Sequence, residues 1–349
     1  SCNGGSNGSA QVSGSGGTGS YTFVWDNGQT GSVLSGVNAG TYVCTINDFN
    51  ACSVTESVTI YEPQILDVTI NDIDISCYGL SDGSASATVS GGTSPYTFVW
   101  SNNAPSSSTV NNLPLGFYTC TIIDANQCPA AVSNQIEITQ PDSLTTSILS
   151  VDSVSCNGDA NGGAQVFVSG GTNPYTFQWD NGQTGSVLSG VNAGTYVCTI
   201  NDVNGCQKDQ SVTIYEPSVL GSQIVSIDSV KCFGGTTGSA EVVGTGSTPA
   251  YTYQWSNGTG GPLLQGVSAG NYTCDIYDYN SCSTSISVDI YQPSLLTGST
   301  IFVDSVSCNG GSNGSAQVSG SGGSGSYTFV WDNGQTGYVL SGLNAGTYV

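Results

Sequence analysis

The chain has 349 residues, of which only 7% are charged, and its formal net charge is −22 because 24 carboxylates face two lysines and no histidine. So few cations cannot neutralise phosphate groups, which excludes nucleic acids and anionic membrane surfaces as partners. Without histidine the Ser/His/Asp and Cys/His nucleophile arrangements are impossible, so we expect no catalytic residues and no enzyme activity.

The chain begins with a stretch that it later repeats, because Ser1–Gly17 and Ser307–Gly323 are identical. A cysteine recurs at this place in every repeat, and we call the five copies the opening cysteines. They are Cys2, Cys77, Cys156, Cys232 and Cys308. With Pro63, Pro141, Pro217 and Pro293 as the closing residues of the repeats, the sequence predicts domains at 1–63, 64–141, 142–217, 218–293 and 294–349. The first and last domains are predicted to be partial, which indicates a segment of a longer array.

An aromatic strand, Tyr-x-(Phe/Tyr)-x-Trp, follows each opening cysteine. Its tryptophans are Trp25, Trp100, Trp179, Trp255 and Trp331. Side chains alternate along a strand, so Tyr96, Phe98 and Trp100 share one face. We predict that this face belongs to the core; the alternative is a stacking platform for carbohydrate.

Two further cysteine positions follow in each of the first four repeats. A Gly-x-Tyr-x-Cys strand holds the strand cysteines, Cys44, Cys120, Cys198 and Cys274. An Asp-x-Asn-x-Cys turn holds the turn cysteines, Cys52, Cys128, Cys206 and Cys282. A last strand then runs into a proline, at Pro63, Pro141, Pro217 and Pro293.

These segments alternate with period two, and no helical period is sustained. In Thr41–Asp48, for example, Tyr42, Cys44 and Ile46 fall on one face. Six or seven short strands, one tryptophan and a tyrosine placed like a tyrosine corner predict an immunoglobulin-like sandwich. The predicted fold class is therefore all-β, a tandem array of immunoglobulin-like antiparallel β-sandwich domains of about 76 residues.

The Asp-x-Asn turns have two interpretations. Their oxygens are hard ligands that could contribute to a calcium site, at Asp124, Asn126, Asp202, Asn204, Asp278 and Asn280. The same residues also close hairpins as Asx-turns, and one Asp with one Asn falls far short of the six or seven oxygens that calcium needs. We expect turn chemistry and no cofactor, with calcium as the alternative.

Thirteen cysteines at fixed places predict a disulfide framework made in an oxidising compartment. Zinc is disfavoured because the chain has no Cys-x-x-Cys motif and no histidine. No apolar run approaches the length of a membrane span, so we expect no membrane insertion of these residues.

Taken together, the motifs resemble the SprB repeat family. The resemblance rests on Cys156–Gly158, Gly170–Gly171 followed by Tyr175–Trp179, Ala193–Tyr196, Asp202–Cys206 and Glu216–Pro217. It implies long extracellular surface proteins of Bacteroidota, exported by type IX secretion and serving gliding motility or cell adhesion.

The family pattern has two cysteines per repeat, the opening and the turn cysteine, so the strand cysteines are extra. It implies the disulfides Cys2–Cys52, Cys77–Cys128, Cys156–Cys206 and Cys232–Cys282. The alternative pairs an opening cysteine with a strand cysteine, such as Cys77 with Cys120.

The sequence is compatible with two functions. The first is the structural shaft of an extracellular adhesive filament, a homo-oligomer of parallel copies that associate side by side. The second is a solitary adhesin strand whose repeats bind surface polysaccharide, prey or substratum directly. The short proline-containing connections favour the first, since they contain no flexible Gly/Ser tether.

Overall fold

The computed structural model describes residues 2–349, except for the side chain of Asn102. Its regular structure consists of β-strands and one 3-10 turn at Ser101–Asn103. The all-β prediction is therefore confirmed.

The strands are numbered in chain order. In the first predicted repeat they are β1 (Gly8–Gln11), β2 (Thr22–Trp25), β3 (Val33–Val37), β4 (Gly40–Asn47) and β5 (Ser53–Ile60). In the second they are β6 (Asp67–Ile73), β7 (Gly83–Ser90), β8 (Thr97–Trp100), β9 (Thr109–Leu113), β10 (Gly116–Tyr118), β11 (Cys120–Ile123), β12 (Ala131–Val132) and β13 (Ile136–Ile138).

In the third repeat the strands are β14 (Thr145–Asp152), β15 (Gly162–Ser169), β16 (Thr176–Trp179), β17 (Val187–Val191), β18 (Gly194–Asn201) and β19 (Gln207–Ile214). In the fourth they are β20 (Gly221–Asp228), β21 (Gly238–Thr245), β22 (Thr252–Trp255), β23 (Leu263–Val267), β24 (Gly270–Tyr277) and β25 (Ser283–Ile290). In the fifth they are β26 (Ser294–Asp304), β27 (Gly314–Gly323) and β28 (Val339–Leu343).

The chain divides into two compact units. The first contains residues up to 147, 166–185 and 198–210, and the second contains 148–165, 186–197 and 211–349. The borders of these units fall inside the third repeat and do not follow the repeat period, so the predicted domain boundaries stay predictions.

In the first unit the second repeat is a two-sheet sandwich. One sheet has the order β6–β7–β9, and the other has the order β12–β11–β8, beside the pair β10–β13. This is how strands A, B, E and C, F, G divide in an immunoglobulin sandwich. The first repeat contributes a two-stranded sheet of β1 and β3 and a three-stranded sheet of the order β2–β4–β5. From the third repeat, β16 pairs with β18 in this unit, with Thr176 opposite Asn201 and Trp179 opposite Cys198.

The second unit repeats the same arrangement. The fourth repeat forms the sheets β20–β21–β23 and β22–β24–β25, and the fifth forms β26–β27–β28. From the third repeat, β15 pairs with β17 in this unit. All these pairings are antiparallel, as a sandwich of hairpins requires.

Each core lies between two sheets and is built around a tryptophan. Trp25, Trp100, Trp179 and Trp255 are 1–4% exposed, whereas Trp331 is partly exposed. The aromatic strand shows the burial alternation that its sequence predicts, with threonine outward and the aromatic side chains inward.

The tyrosine corner is present in every repeat. The hydroxyl of Tyr118 donates a hydrogen bond to the carbonyl oxygen of Pro114 at 3.0 Å. The equivalent donors and acceptors are Tyr42 and Asn38, Tyr196 and Asn192, Tyr272 and Ser268, and Tyr348 and Asn344. This bond ties the start of the Gly-x-Tyr-x-Cys strand to the turn before it, which places the strand cysteine under the tryptophan.

Candidate functional site at the joints between repeats

Three disulfides join neighbouring repeats. They are Cys2–Cys128, Cys77–Cys206 and Cys156–Cys282, with Cα–Cα distances of 5.3, 5.7 and 5.6 Å. In each case the opening cysteine of one repeat bonds the turn cysteine of the next repeat. We call this contact, with the loops that carry the two cysteines, a joint.

The disulfides implied by the family pattern are wrong. Cys2–Cys52, Cys77–Cys128, Cys156–Cys206 and Cys232–Cys282 are not formed. The reason is that the opening cysteine and the turn cysteine of one repeat lie at opposite ends of its sandwich. Cys77 lies where β10 begins, since the Ile75 N–H bonds the Thr139 carbonyl just after β13, while Cys128 follows the end of β11. The extended segment Gly116–Ile123 runs from one end of the sandwich to the other, and its length of about 25 Å separates Cys77 from Cys128.

The alternative pairing of Cys77 with Cys120 is wrong as well. Cys120 is fully buried, outside any disulfide, and opposite Trp100 in the sheet. The other strand cysteines, Cys44, Cys198 and Cys274, have the same place and are also fully buried and free. Burial raises the pKa of all four thiols, that of Cys198 to about 11.

Three cysteines of the joint motifs remain free. Cys52, Cys232 and Cys308 are exposed. Cys52 is a turn cysteine, and the other two are opening cysteines, so the described chain contains unpaired examples of both halves of a joint.

The turn that carries the second half of a joint is organised by its aspartate. Asp202 Oδ1 accepts backbone N–H bonds from Asn204 and Cys206, both at 2.9 Å. Its Oδ2 accepts the Thr172 N–H at 2.9 Å. The carboxylate therefore fixes the turn and attaches it to the neighbouring loop, which sets the position of the cysteine.

The asparagine of the same motif crosses the joint. Asn204 Nδ2 donates to the carbonyl oxygen of Ser76, the residue before opening cysteine Cys77, at 3.0 Å. In the second unit Asn280 Nδ2 donates in the same way to Ser155, beside Cys156, at 2.9 Å. The Asp-x-Asn-x-Cys motif thus combines a turn anchor, a hydrogen bond across the joint and a disulfide within five residues.

The loop of the opening cysteine is held by the residue before the closing proline of its own repeat. The N–H two residues after the opening cysteine donates to a Glu or Gln side chain: Gly4 to Glu62, Gly79 to Gln140, Gly158 to Glu216 and Gly234 to Gln292, at 2.6–3.0 Å. This contact was not predicted from the sequence. The sequence feature that could have predicted it is the nearly constant distance of about 60 residues between the Cys-x-Gly and (Glu/Gln)-Pro motifs.

Hydrogen bonds lower the pKa of several turn aspartates. For Asp124 the largest cause is the backbone N–H of Cys128, and for Asp48 it is that of Cys52. Burial alone would raise the pKa of Asp278, but donation from Ser247 and from the backbone of Cys282 and Thr248 outweighs it, so the net direction is down. These carboxylates are ionised at neutral pH and act as acceptors.

The candidate calcium residues are thus the aspartates and asparagines of the joints. Within residues 2–349, no three His, Cys, Asp or Glu side chains form a cluster able to hold a metal ion. Calcium binding at these turns stays a prediction. No helix in the described part of the chain is long and apolar enough to span a membrane.

The model of the SprB repeat matches residues 1–30, 71–105, 148–184, 224–260 and 300–336. The chain belongs to the SprB repeat family. Each match covers the opening cysteine and the whole aromatic strand, whereas the Asp-x-Asn-x-Cys turns lie outside the matched segments. SprB repeats in a tandem immunoglobulin-like array describe a surface-adhesin-like repeat protein. No curated protein matches the chain.

Solved structures with some similarity are also arrays of domains. Three N-terminal domains of the highly immunogenic outer capsid protein of bacteriophage RB49 have 13% identity and a TM-score of 0.33, covering 64% of this chain and 97% of that one. Eight N-terminal Ig domains of Down Syndrome Cell Adhesion Molecule have 12% identity and a TM-score of 0.26, covering 89% and 61%. Sidekick-1 immunoglobulin domains 1–5 have 11% identity and a TM-score of 0.25, covering 91% and 82%.

Proposed function

We propose that this chain is a non-catalytic structural segment in the shaft of an extracellular adhesive filament, with parallel copies of the chain as its partners. The observation that carries the proposal is the joint, because a disulfide between successive repeats transmits tension through a covalent bond. Such bonds persist in oxidising surroundings, which supports a location outside the cell. We infer that the filament is exported by type IX secretion and serves attachment or gliding, as the family resemblance implies.

Exposed tyrosines supply a surface for contacts between copies. Tyr61, Tyr215 and Tyr291 precede the closing prolines of their repeats and are 67–84% exposed. The second repeat has Thr139 at this position, so the tyrosine recurs in three of the first four repeats. Aromatic side chains at the same position of several repeats can make the same contact more than once, and weak contacts in series add to strong binding.

The charge of the chain predicts how salt affects this association. At −22 per 349 residues, copies repel one another at low ionic strength. Raising salt from about 0.05 M to about 0.6 M shortens the screening length from roughly 14 Å to roughly 4 Å. Association should therefore strengthen with salt, unlike the binding of a cationic ligand to an acidic protein.

Analytical ultracentrifugation over this salt range tests the proposal. We expect the sedimenting mass to rise with salt, and we expect the triple variant Tyr61→Ser, Tyr215→Ser, Tyr291→Ser to remain smaller. Phe49→Ser, which removes a 77% exposed aromatic outside this set, is the matched control. A single-chain mass at every salt concentration, together with binding to a glycan array, would support the solitary adhesin instead.

A further inference from the structure

The unfolded chain favours cysteine pairs that the structure does not contain. Cys77 lies 51 residues before Cys128 and 129 residues before Cys206, its partner in the joint. The probability that two points of a flexible chain meet falls as the three-halves power of the loop length, so Cys77 meets Cys128 about four times as often as it meets Cys206. Cys120 is closer still along the chain. An oxidant that acts on the unfolded chain therefore forms mostly bonds within one repeat.

The folded sandwich removes both of these competing pairs. Cys77 and Cys128 lie at opposite ends of it, about 25 Å apart, whereas the Cα atoms of a disulfide lie within about 7 Å of each other. Cys120 is fully buried in the core. Burial also raises the pKa of its thiol, which keeps it protonated, and the thiolate is the form that attacks a disulfide. Folding therefore leaves Cys77 without a partner inside its own repeat.

The joint brings the correct pair together by contacts that do not involve the bond between the sulfurs. Asn204 Nδ2 donates to the Ser76 carbonyl oxygen at 3.0 Å, and Cys206 Sγ lies 3.4 Å from the same oxygen. The Asp202 carboxylate fixes this turn through the N–H groups of Asn204 and Cys206. These contacts can hold Cys206 beside the loop of Cys77 while both residues are thiols.

The second unit contains the same set of contacts at its own joint. Asn280 Nδ2 donates to the Ser155 carbonyl oxygen at 2.9 Å, and Cys282 Sγ lies 3.4 Å from that oxygen. The Asp278 carboxylate accepts the N–H groups of Asn280 and Cys282. Two joints with different neighbouring sequences thus position the turn cysteine in the same way.

We propose that each sandwich folds with its cysteines as thiols and that the folded joint then directs its own oxidation, so that folding precedes disulfide formation in this chain. The opening cysteine of one repeat bonds the turn cysteine of the next, so a joint closes only after the following repeat has folded. The class of reaction that follows folding is thiol oxidation by a disulfide. This order holds whether or not copies of the chain associate.

The covalent step uses an oxidant of the small-disulfide class, such as glutathione disulfide. One protein thiolate attacks it, releasing one glutathione thiolate and leaving a mixed disulfide. The second protein thiolate then attacks the protein sulfur of the mixed disulfide and displaces the other glutathione. The two protein thiols lose two protons and two electrons, and glutathione disulfide is reduced to two thiols.

The first experiment compares oxidation after folding with oxidation before folding. It uses the full chain with its exposed free thiols removed by Cys52→Ser, Cys232→Ser and Cys308→Ser. One reduced sample is folded in buffer and then receives glutathione disulfide. The other receives the same oxidant in concentrated guanidinium chloride. Mass spectrometry of unreduced peptides identifies the bonds in each sample.

The two samples should contain different bonds. After folding, we expect Cys77–Cys206 and Cys156–Cys282, with the strand cysteines still thiols. In denaturant, we expect bonds within one repeat to exceed joint bonds by about fourfold or more. The same distribution of bonds in both samples would overturn the proposal. A reduced chain whose tryptophan emission shows exposed cores would overturn it as well, because folding would then depend on the disulfides.

The second experiment tests whether the joint directs its own oxidation. Asn204→Ala and Asn280→Ala are made separately in the same background, so the unchanged joint of each variant is its internal control. Timed alkylation and mass spectrometry give the rate at which each joint bond forms in the folded chain. Loss of one hydrogen bond across a joint should slow that joint about fivefold and leave the other unchanged. Rates that do not follow the altered joint would overturn the proposal.

Discussion

The joints and the repeat cores use the same residue type in opposite ways. At a joint, Cys77 and Cys206 form a disulfide between two repeats, beside an exposed asparagine. In the core, Cys198 lies fully buried opposite Trp179, with its thiol free. The joint cysteine supplies a covalent bond, while the core cysteine supplies volume and a weak polar group.

This contrast shows why the strand cysteine does not pair with an opening cysteine. In an immunoglobulin sandwich, a cysteine two residues after the corner tyrosine bonds one on the second strand. Here the second strands contribute buried alanines to the cores, such as Ala85 and Ala240. The strand cysteine keeps the position of an immunoglobulin cysteine, but the second strands β7, β15 and β21 contain no cysteine that could pair with it.

Removing a joint disulfide should have the largest effect. We expect Cys77→Ser with Cys206→Ser to lower the free energy of unfolding by about 5 kcal/mol, since the bond closes a loop with a sequence separation of 129 residues. Guanidinium denaturation followed by tryptophan emission measures this change. Cys232→Ser, which removes a free thiol, is the control, and equal losses from the two changes would contradict the structural role of the joint.

A change at the core thiol should have a smaller effect. Cys198→Ser places a hydroxyl in the buried position of the sulfur, and we expect a loss of about 2 kcal/mol. The matched variant Cys52→Ser, at an exposed thiol, should change stability by less than about 0.5 kcal/mol. Thermal unfolding of the two variants gives the comparison, and a more stable Cys198→Ser protein would show that the site accepts a polar group.

The turn aspartates should make the joints sensitive to acid. Asp278→Ala removes the acceptor of three backbone N–H groups and one hydroxyl, so we expect the unfolding midpoint of its repeat to fall by roughly 5 °C at pH 7. Because the pKa of Asp278 is lowered in the folded chain, its contribution is complete above the ordinary value of about 3.9.

That contribution is lost as pH falls from about 4 through the lowered pKa of the folded state. Calorimetry of both proteins from pH 7 to pH 2 should therefore show midpoints that converge in acid. A difference that stays constant down to pH 2 would mean that the carboxylate charge is not what stabilises the turn.

The tyrosine corner should give the smallest effect. Tyr196→Phe removes the hydroxyl that donates to Asn192 at 3.0 Å and leaves the ring, so we expect a loss of about 1 kcal/mol. Tyr215→Phe, at a 67% exposed tyrosine, is the matched control and should be neutral. Denaturant midpoints at equal m-values measure the stability change of both variants. An unchanged stability of Tyr196→Phe would show that the corner hydrogen bond does not stabilise the fold.

Much of the fold could be predicted from the sequence, because strand alternation and the tyrosine position are local signals. The face shared by Tyr42, Cys44 and Ile46 and the inward tryptophans followed from side-chain alternation alone. The disulfide partners could not be predicted in this way, because every repeat carries the same motifs. Cys128 and Cys206 have identical local patterns, and only the direction of the strands decides which one can reach Cys77.

The overlap of the disulfides has a mechanical consequence. With the bonds intact, the shortest covalent path from Cys2 to Cys282 crosses to Cys128, follows the backbone to Cys156 and crosses again to Cys282. That path contains about 28 backbone residues and cannot extend beyond about 100 Å, whereas the reduced chain between the same ends could reach about 950 Å. Even with every sandwich pulled apart, the ends of this path could not separate beyond that limit, so the length of the oxidised segment under load would be limited by its sulfur chemistry and not by the stability of its domains.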